Sequence, residues 1–390
     1  MRQGLTIREQ LALFHVKSPL GLDGRLWSGS FNARESSLHQ LAPYVGKLKS
    51  GMVRVLIELF SQQGDVILDP FCGSGVVPLE AVLLGRQAIA NDLSPYAYVV
   101  TLGKLSAPAK KQEALNKAWE LSDLVERKAS QFDLKCVPEW VRQFFHPKTL
   151  QEVLAAFEVL REWDEWFLTA CLLGILHHVR PGFLSHPASH LTPYLRLQKY
   201  PPEQFPYMYR YRDLRSRLLA KVERAYRRSY FTSYWEQRVY RAFRVNAMEL
   251  PVDSGSMDAV ISSPPYFGAL DYARDNRLRL WFLGVEDWRH LDKTLTANEA
   301  VYIPQMTGCL LEMYRVLKIG KYCVLVLGDV ERNGKYKQTS EIISELAAKV
   351  TGGGFRQELL YTDEIPDVRR SRRRTRTTKY ERILVLQKVW

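Results

Sequence analysis

The chain has 390 residues, 46% apolar and 25% charged, which is ordinary for a soluble globular protein and long enough for one large or two ordinary domains with a full core. Lysine and arginine number 55 against 42 acids, a formal net charge of +13, and that excess favours a polyanionic partner, nucleic acid first. A basic membrane-surface protein is disfavoured, because no basic amphipathic anchor and no apolar run near ~18 residues is present. The five cysteines are scattered without a CxxC pair, so neither a disulfide framework nor a metal site is expected. The stretch MRQGLTIREQLALF lacks the apolar core of a signal peptide, and a cytoplasmic location is the expectation.

Residues 1–40 carry little signal. Pro43-Tyr44-Val45-Gly46-Lys47 reads as a turn, and Val53, Leu56, Ile57 and Phe60 keep helical spacing. Val66-Ile67-Leu68 then reads as a short buried strand that ends in Asp69-Pro70-Phe71-Cys72-Gly73-Ser74-Gly75, followed by a helix over 76–84 closed by Gly85. Strand, glycine-rich turn and helix let a ligand approach the backbone closely. Ala88-Ile89-Ala90 is a second strand ending in Asn91-Asp92, which places an acid near the ~20-residue spacing at which such folds bind a ribose hydroxyl. A nucleoside-type cofactor fits this pairing, with a purely structural turn as the alternative. The turn is not GxxxxGK[ST], so an ATP-type phosphate loop is not expected.

Residues 108–235 read as mostly helical, with long patterns over 110–130, 148–180 and 211–230. Within them Tyr207 opens a run holding Arg210, Arg212, Arg215 and Arg217 interleaved with tyrosine. That composition suits phosphate contacts and base stacking, or else a solvated helix face. Strands are expected at 239–245, 257–261, 322–327, 356–361 and 383–386, and helices at 277–283, 298–317 and 340–350. The alternation predicts an α/β fold with a doubly wound, mostly parallel sheet and a helical insert. Three regions follow: 1–107, the N-terminal segment and first half of the sheet domain; 108–235, the insert; and 236–390, the second half.

The stretch Ser262-Ser263-Pro264-Pro265-Tyr266 follows the buried run Met257–Ile261. Its prolines forbid further pairing, so the chain turns at the carboxyl end of a strand, where open α/β sheets bind ligands. A hydroxyl, a proline-fixed carbonyl and an aromatic ring suit a flat, amine-bearing ring; a plain strand-ending turn is the alternative. The segment 369–379 contains Arg370, Arg373 and Arg374 and reads as an anion-binding loop over the active-site face, or as a localisation signal.

These motifs resemble DNA methyltransferases that methylate an exocyclic amine. DPFCGSG is similar to their cofactor motif and SSPPY to their catalytic motif, whose general form is (Asp/Asn/Ser)-Pro-Pro-(Tyr/Phe). SPPYFGALDYARDNRLRLWFLG resembles a subgroup that keeps Asp-Tyr and Leu-Trp after the catalytic motif, and 43–47 resembles the lysine-bearing segment before the cofactor motif. The resemblance covers about 41–105 and 239–390. It implies a Rossmann-like methyltransferase sheet and S-adenosyl-L-methionine as cofactor. Phe71, Gly73 and Gly75 would shape the methionine pocket, with Asp69 beside it; Asp92 would hold the ribose, Asn246 the adenine, and Lys47 the cofactor carboxylate. Ser263, Pro264, Pro265 and Tyr266 would hold the target base. The implied partner is double-stranded DNA with a flipped base, accompanied in some systems by a cognate restriction endonuclease.

Serine in first place of the catalytic motif points to the N4 amine of cytosine, with adenine-N6 as the alternative. An RNA amine such as guanine-N2, or a non-catalytic nucleic-acid-binding protein on the same fold, are further alternatives. Cytosine-C5 chemistry is set aside, because it needs a thiolate and no cysteine follows a proline. The insert, read as a candidate target-recognition region, lies between the second and third strands, an unusual place for one.

Overall fold

The computed structural model describes residues 20–27, 35–178, 183–189, 193–229, 231–265, 272–294, 299–328, 330–332, 335–364 and 380–390. Its organising element is a seven-stranded sheet. The strands in chain order are β1 (Val66–Asp69), β2 (Gln87–Asn91), β3 (Tyr240–Phe243), β4 (Met257–Ser262), β5 (Leu317–Gly328), β6 (Phe355–Glu364) and β7 (Tyr380–Lys388). They lie side by side in the order β3-β2-β1-β4-β5-β7-β6. β1 to β5 pair in parallel, and β7 is antiparallel to both of its neighbours. The expected doubly wound, mostly parallel sheet is therefore present. Strand order reverses between β1 and β4, and it is beside such a reversal that open sheets leave a crevice at the strands' carboxyl ends.

The strand sequences are apolar almost throughout because both faces of the sheet are covered. Successive residues alternate between two layers. Ile67, Ala259, Ile261, Val324 and Val385 pack into one core, and Leu68, Val260, Cys323, Leu325 and Leu386 into the other. The first layer is built on α1 (Ser50–Phe60), α2 (Val76–Leu83) and α3 (Pro95–Leu105). The second is built on α9 (Glu299–Val316) and α10 (Thr339–Val350), using Met306, Leu310, Met313, Ile343 and Ala347.

Between α3, which follows β2, and β3 the chain is mostly helical. It supplies α4 (Lys111–Lys128), α5 (Pro147–Glu162), α6 (Trp166–Ile175) and α7 (Leu214–Ala225). These helices do not enclose a separate core: Val125, Phe157, Leu172 and Leu218 join the same buried cluster as α1 and α3. The insert thickens one face of the sheet, with α3 packed on α6. The helix α8 (Tyr272–Phe282), which follows the Pro-Pro turn, is tied into this layer. The fully buried Arg279 donates from Nε to the Leu173 carbonyl at 3.2 Å, with its guanidinium over the Tyr96 ring.

Several boundaries differ from the sequence reading, two of them for reasons the hydrogen bonds identify. β3 stops at Phe243 rather than 245, because the Asn91 side chain takes over the pairing of Val245: its Nδ2 donates to the Val245 carbonyl at 3.1 Å, and its Oδ1 accepts from the Val245 N–H at 3.1 Å. β5 begins at Leu317 rather than 322, because Leu317 already pairs with Met257 before a register shift. Among the described residues no helix is long and apolar enough to cross a membrane.

Candidate active site at the carboxyl ends of β1, β2 and β4

The glycine-rich turn leaves β1 at Asp69. Gly73 (φ +49°) and Gly75 (φ +70°) occupy the left-handed region, which glycine enters without a Cβ penalty. Packing demands glycine as well: a Cβ on Gly75 would lie 2.7 Å from Thr101 Oγ1, and one on Gly73 3.3 Å from the Tyr44 ring. The turn is pinned from outside. The Cys72 N–H donates to the Asn91 carbonyl at 2.9 Å, and the Gly73 N–H to Asp92 Oδ2 at 2.9 Å. The hydroxyl of Thr101 on α3 donates to the Gly73 carbonyl at 3.3 Å, and the ammonium of Lys104, 1% exposed, to the Ser74 carbonyl. Burial, with Lys47 adding repulsion, pushes Lys104 down to about 7.

Two carboxylates close the floor. Asp92 accepts from Gly73 N–H through Oδ2 and from Ser94 N–H through Oδ1, the latter at 2.9 Å, and burial raises it to about 6 against those bonds. Asp69 is 3% exposed and accepts at Oδ1 from Ser262 Oγ at 2.6 Å and from Phe71 N–H at 3.3 Å. Burial pushes it up to about 7. Among the described residues no ion pair reaches it. Two carboxyls displaced in this way at strand ends in a cleft make it a candidate functional site.

On the other side of the strand-order reversal, β4 ends in the serine-proline turn. Ser263 Oγ donates to the Val326 carbonyl of β5 at 3.0 Å, so its hydrogen is committed and its oxygen remains an acceptor. Pro264 is buried behind Ser263, and Pro265 faces the opening.

These pieces surround one cleft of about 470 Å³, within the range of small-molecule sites. Lys47, Asp69, Phe71, Gly73, Asp92, Asn246, Ser263 and Pro265 all line it. Gly75 and Pro264 do not line it but shape the turns that do. Lys47 donates to the His39 carbonyl at 3.4 Å and lies 4.0 Å from Glu35. Asn246 is exposed, and its Oδ1 accepts from the Met248 N–H at 3.1 Å. The cleft also presents a polar group that the protein leaves unused: Ser74 is 3% exposed, and its Oγ has no partner among the described residues. Acids, a lysine, an orphan hydroxyl and an apolar wall that includes Phe71 and Met306 form a donor set that fits a nucleoside bearing an amino-acid group.

Several of these residues escaped the sequence reading. Asn91 was legible only as Asp92's neighbour. Lys104 is betrayed by a charge inside the apolar run Tyr96–Leu105. Tyr302, Met306 and Cys309 of α9 carry a helical spacing that cannot be told from ordinary core.

The basic segments divide. Arg210 is exposed. Arg212 is not available to a phosphate here, contrary to expectation. It is 7% exposed, and its guanidinium is taken up by the carbonyls of Phe183 (2.7 Å), Met208 (2.6 Å) and Ser185. Arg215 pairs with Asp123 at 2.6 Å and Glu126 at 3.0 Å and lies over Trp119. Arg217 donates to the Asp213 carbonyl at 2.9 Å. Tyr266, Arg370, Arg373 and Arg374 lie outside the described residues.

Residues 24–101 match the family model described as DNA methylase. Over 282 residues, 65% of this chain and 54% of the relative, the sequence is 24% identical to the Type II methyltransferase M.BsoBI of Geobacillus stearothermophilus. The resemblance to the amine-directed DNA methyltransferases is thereby borne out. A second relative, the Type II methyltransferase M.MjaII of Methanocaldococcus jannaschii, is 32% identical over 72 residues, 18% of this chain and 14% of its own length. The chain thus spans about half the first relative and a small part of the second. Among solved structures, a SAM-dependent methyltransferase from Methanosarcina mazei aligns over 86% of this chain and 97% of its own at 11% identity, with a TM-score of 0.35. The doubly wound, mostly parallel Rossmann-like sheet is read from the strand order and strand directions themselves.

Proposed function

We propose that this protein is a DNA methyltransferase that uses S-adenosyl-L-methionine to methylate an exocyclic amine, and that the amine is N4 of cytosine. The observation that carries the reading is that the glycine-rich turn with Asp92 and the serine-proline turn line one cleft. That arrangement supports a transfer reaction in which one turn serves the cofactor and the other the acceptor. S-adenosyl-L-methionine, when bound, supplies an electrophilic methyl sulfonium.

The protein's own part is to hold and to position. Asp92 offers its remaining lone pairs to ribose hydroxyls, Asn246 faces the adenine end, and Lys47 and the free Ser74 hydroxyl serve the amino-acid end. A base amine is a poor nucleophile, because its lone pair is delocalised into the ring. Ser263, with its hydrogen held by Val326, accepts one amine hydrogen, and the Pro264 carbonyl accepts the other. Two acceptors of fixed direction favour a pyramidal nitrogen with a localised lone pair, which is catalysis by positioning and electrostatic preorganisation. The base reaches the pocket only by leaving the duplex, and Tyr266 would stack on it there. The net charge of +13 supports a DNA partner, and the insert 108–235 is the candidate target-recognition region. A cytoplasmic location and a companion restriction endonuclease go with this reading.

Serine rather than aspartate or asparagine before Pro-Pro favours cytosine, with adenine-N6 as the second reading. Ser263→Ala tests the assignment of the acceptor. Cofactor affinity by calorimetry should hold while turnover falls about ten- to a thousandfold, for a loss of about 1.4–4 kcal/mol. Unchanged turnover would remove Ser263 from the mechanism.

A further inference from the structure

The serine that precedes Ser263 has a different task. Ser262 is the last residue of β4 and wholly buried, and its Oγ donates to Asp69 Oδ1 at 2.6 Å. Ser263 donates to the Val326 carbonyl at 3.0 Å. The paired serines thus tie the end of β4 to both adjacent strands, β1 and β5. Asp69 in turn accepts from the Phe71 N–H at 3.3 Å, inside the glycine-rich turn. One carboxylate therefore joins the two turns across the point where strand order reverses.

We propose that Ser262, acting through Asp69, is a positioning residue: its hydroxyl, donated to an ionised Asp69, sets the depth of the Pro-Pro turn against the glycine-rich turn, and full turnover requires that bond. The inference rests on the amine-methylation reading of the cleft. Three features support it. The bond is short and fully enclosed, so water does not compete for either partner. Asp69 has no ion pair among the described residues, leaving Ser262 as its strongest polar contact. The groups facing Asp69 are Asp92 from the end of β2, the Cys72 thiol from its own turn and Ser262 from β4, with Lys47 the cation lining the same cleft.

Burial, with Asp92 pushing the same way, raises Asp69 to about 7, and Ser262 and the Phe71 N–H oppose that rise. Above this range the carboxylate is ionised and the bond runs from Ser262 to Asp69. Below it Asp69 carries its own proton and loosens its hold on both Ser262 and the Phe71 N–H, so a variant without Ser262 still titrates through the Phe71 contact. Removing Ser262 removes an opposing contact, so the acid limb of turnover moves to higher pH.

The test compares wild type, Ser262→Ala and Asp69→Asn for melting temperature, cofactor affinity by calorimetry and the pH profile of kcat on duplex DNA. Ser262→Ala should fold, bind cofactor within about threefold of wild type, and lose about tenfold or more in kcat at pH near 8, since a hydrogen bond to a charged group is lost. Its acid limb should move up by about half a pH unit or more, and Asp69→Asn should have no such limb. Wild-type kcat with an unmoved limb in Ser262→Ala overturns the proposal. Should the alanine variant fail to fold, Ser262→Cys keeps a weak donor. An intermediate kcat with a smaller upward shift supports the inference, and a wild-type limb overturns it. If wild type methylates no DNA, the amine-methylation reading fails and the role in turnover with it. Carbon-13 NMR of the Asp69 carboxyl in wild type and Ser262→Ala then decides the contact itself. An upward shift on losing Ser262 upholds the pairing, and an unchanged titration overturns it.

Discussion

Replacing Asp69 with asparagine should make the ligand-free protein more stable at pH 8 and leave that gain much smaller at pH 5. The carboxyl moves from an ordinary 3.8 to about 7 on folding, chiefly through burial. A carboxyl raised in the folded state contributes stability below its unfolded value and loses it as pH rises through the folded one. Three units at about 1.4 kcal/mol each set an upper bound near 4 kcal/mol by pH 8. At pH 5 the ionisation of the unfolded chain has already taken about 1.5 kcal/mol, so the gain from Asp69→Asn should grow by about 2–3 kcal/mol between the two pH values. The asparagine carbonyl can still accept from Ser262 and the Phe71 N–H. Its new N–H groups need partners in a site that offers few, and this offsets both values equally by about 1–3 kcal/mol. Urea unfolding of both proteins at pH 5 and pH 8 measures the difference. A variant destabilised equally at both pH values would show that Asp69 is not held against its ionisation, and the account of the cleft's electrostatics would fail.

Asp92→Ala should weaken cofactor binding by about 1.5–3 kcal/mol with little loss of fold. Wild-type affinity should drop as pH falls through about 6, where Asp92 takes up its proton; a pH-independent affinity by calorimetry would refute its role. Gly75→Ala should destabilise the protein by about 1–3 kcal/mol or more, since the added Cβ meets Thr101 at 2.7 Å from a left-handed backbone; an unchanged melting temperature would contradict the packing described. Arg212→Ala should lower stability and leave the salt dependence of DNA binding unchanged, whereas Arg210→Ala should leave the fold intact and flatten the log–log slope by about 0.9. The reverse pattern would reinstate Arg212 as a phosphate contact.

The sheet was legible because its signals are local. Apolar runs such as Val66-Ile67-Leu68 and Cys323–Leu327 need cover on both faces, and Gly73 and Gly75 mark a turn that no other residue forms without strain. Asp92 was legible because its distance from the turn follows from one strand–helix–strand unit. What the sequence left hidden depends on direction. The arginine run 210–217 is uniform in composition, yet the chain turns Arg212 inward onto carbonyls and leaves Arg210 outside. Asn91 looked like a strand end, and only the fold brings Val245 to its amide. Ser262 and Ser263 are indistinguishable as letters. Their roles part because one side chain points to β1 and the other to β5. The insert's helices were visible in their spacing, but nothing in that spacing says that they share a core with α1 and α3 rather than forming one of their own.

The central claim is that the cleft joining the two turns transfers a methyl group to the N4 amine of cytosine in DNA. Incubating the purified protein with duplex DNA and S-adenosyl-L-methionine, digesting the DNA to nucleosides and identifying them by mass spectrometry tests it directly. The account predicts N4-methylcytosine, absent when Ser263→Ala replaces the wild type at matched times. N6-methyladenine as the only product would contradict the cytosine assignment while leaving the amine chemistry in place, and unmodified DNA throughout would contradict the claim itself.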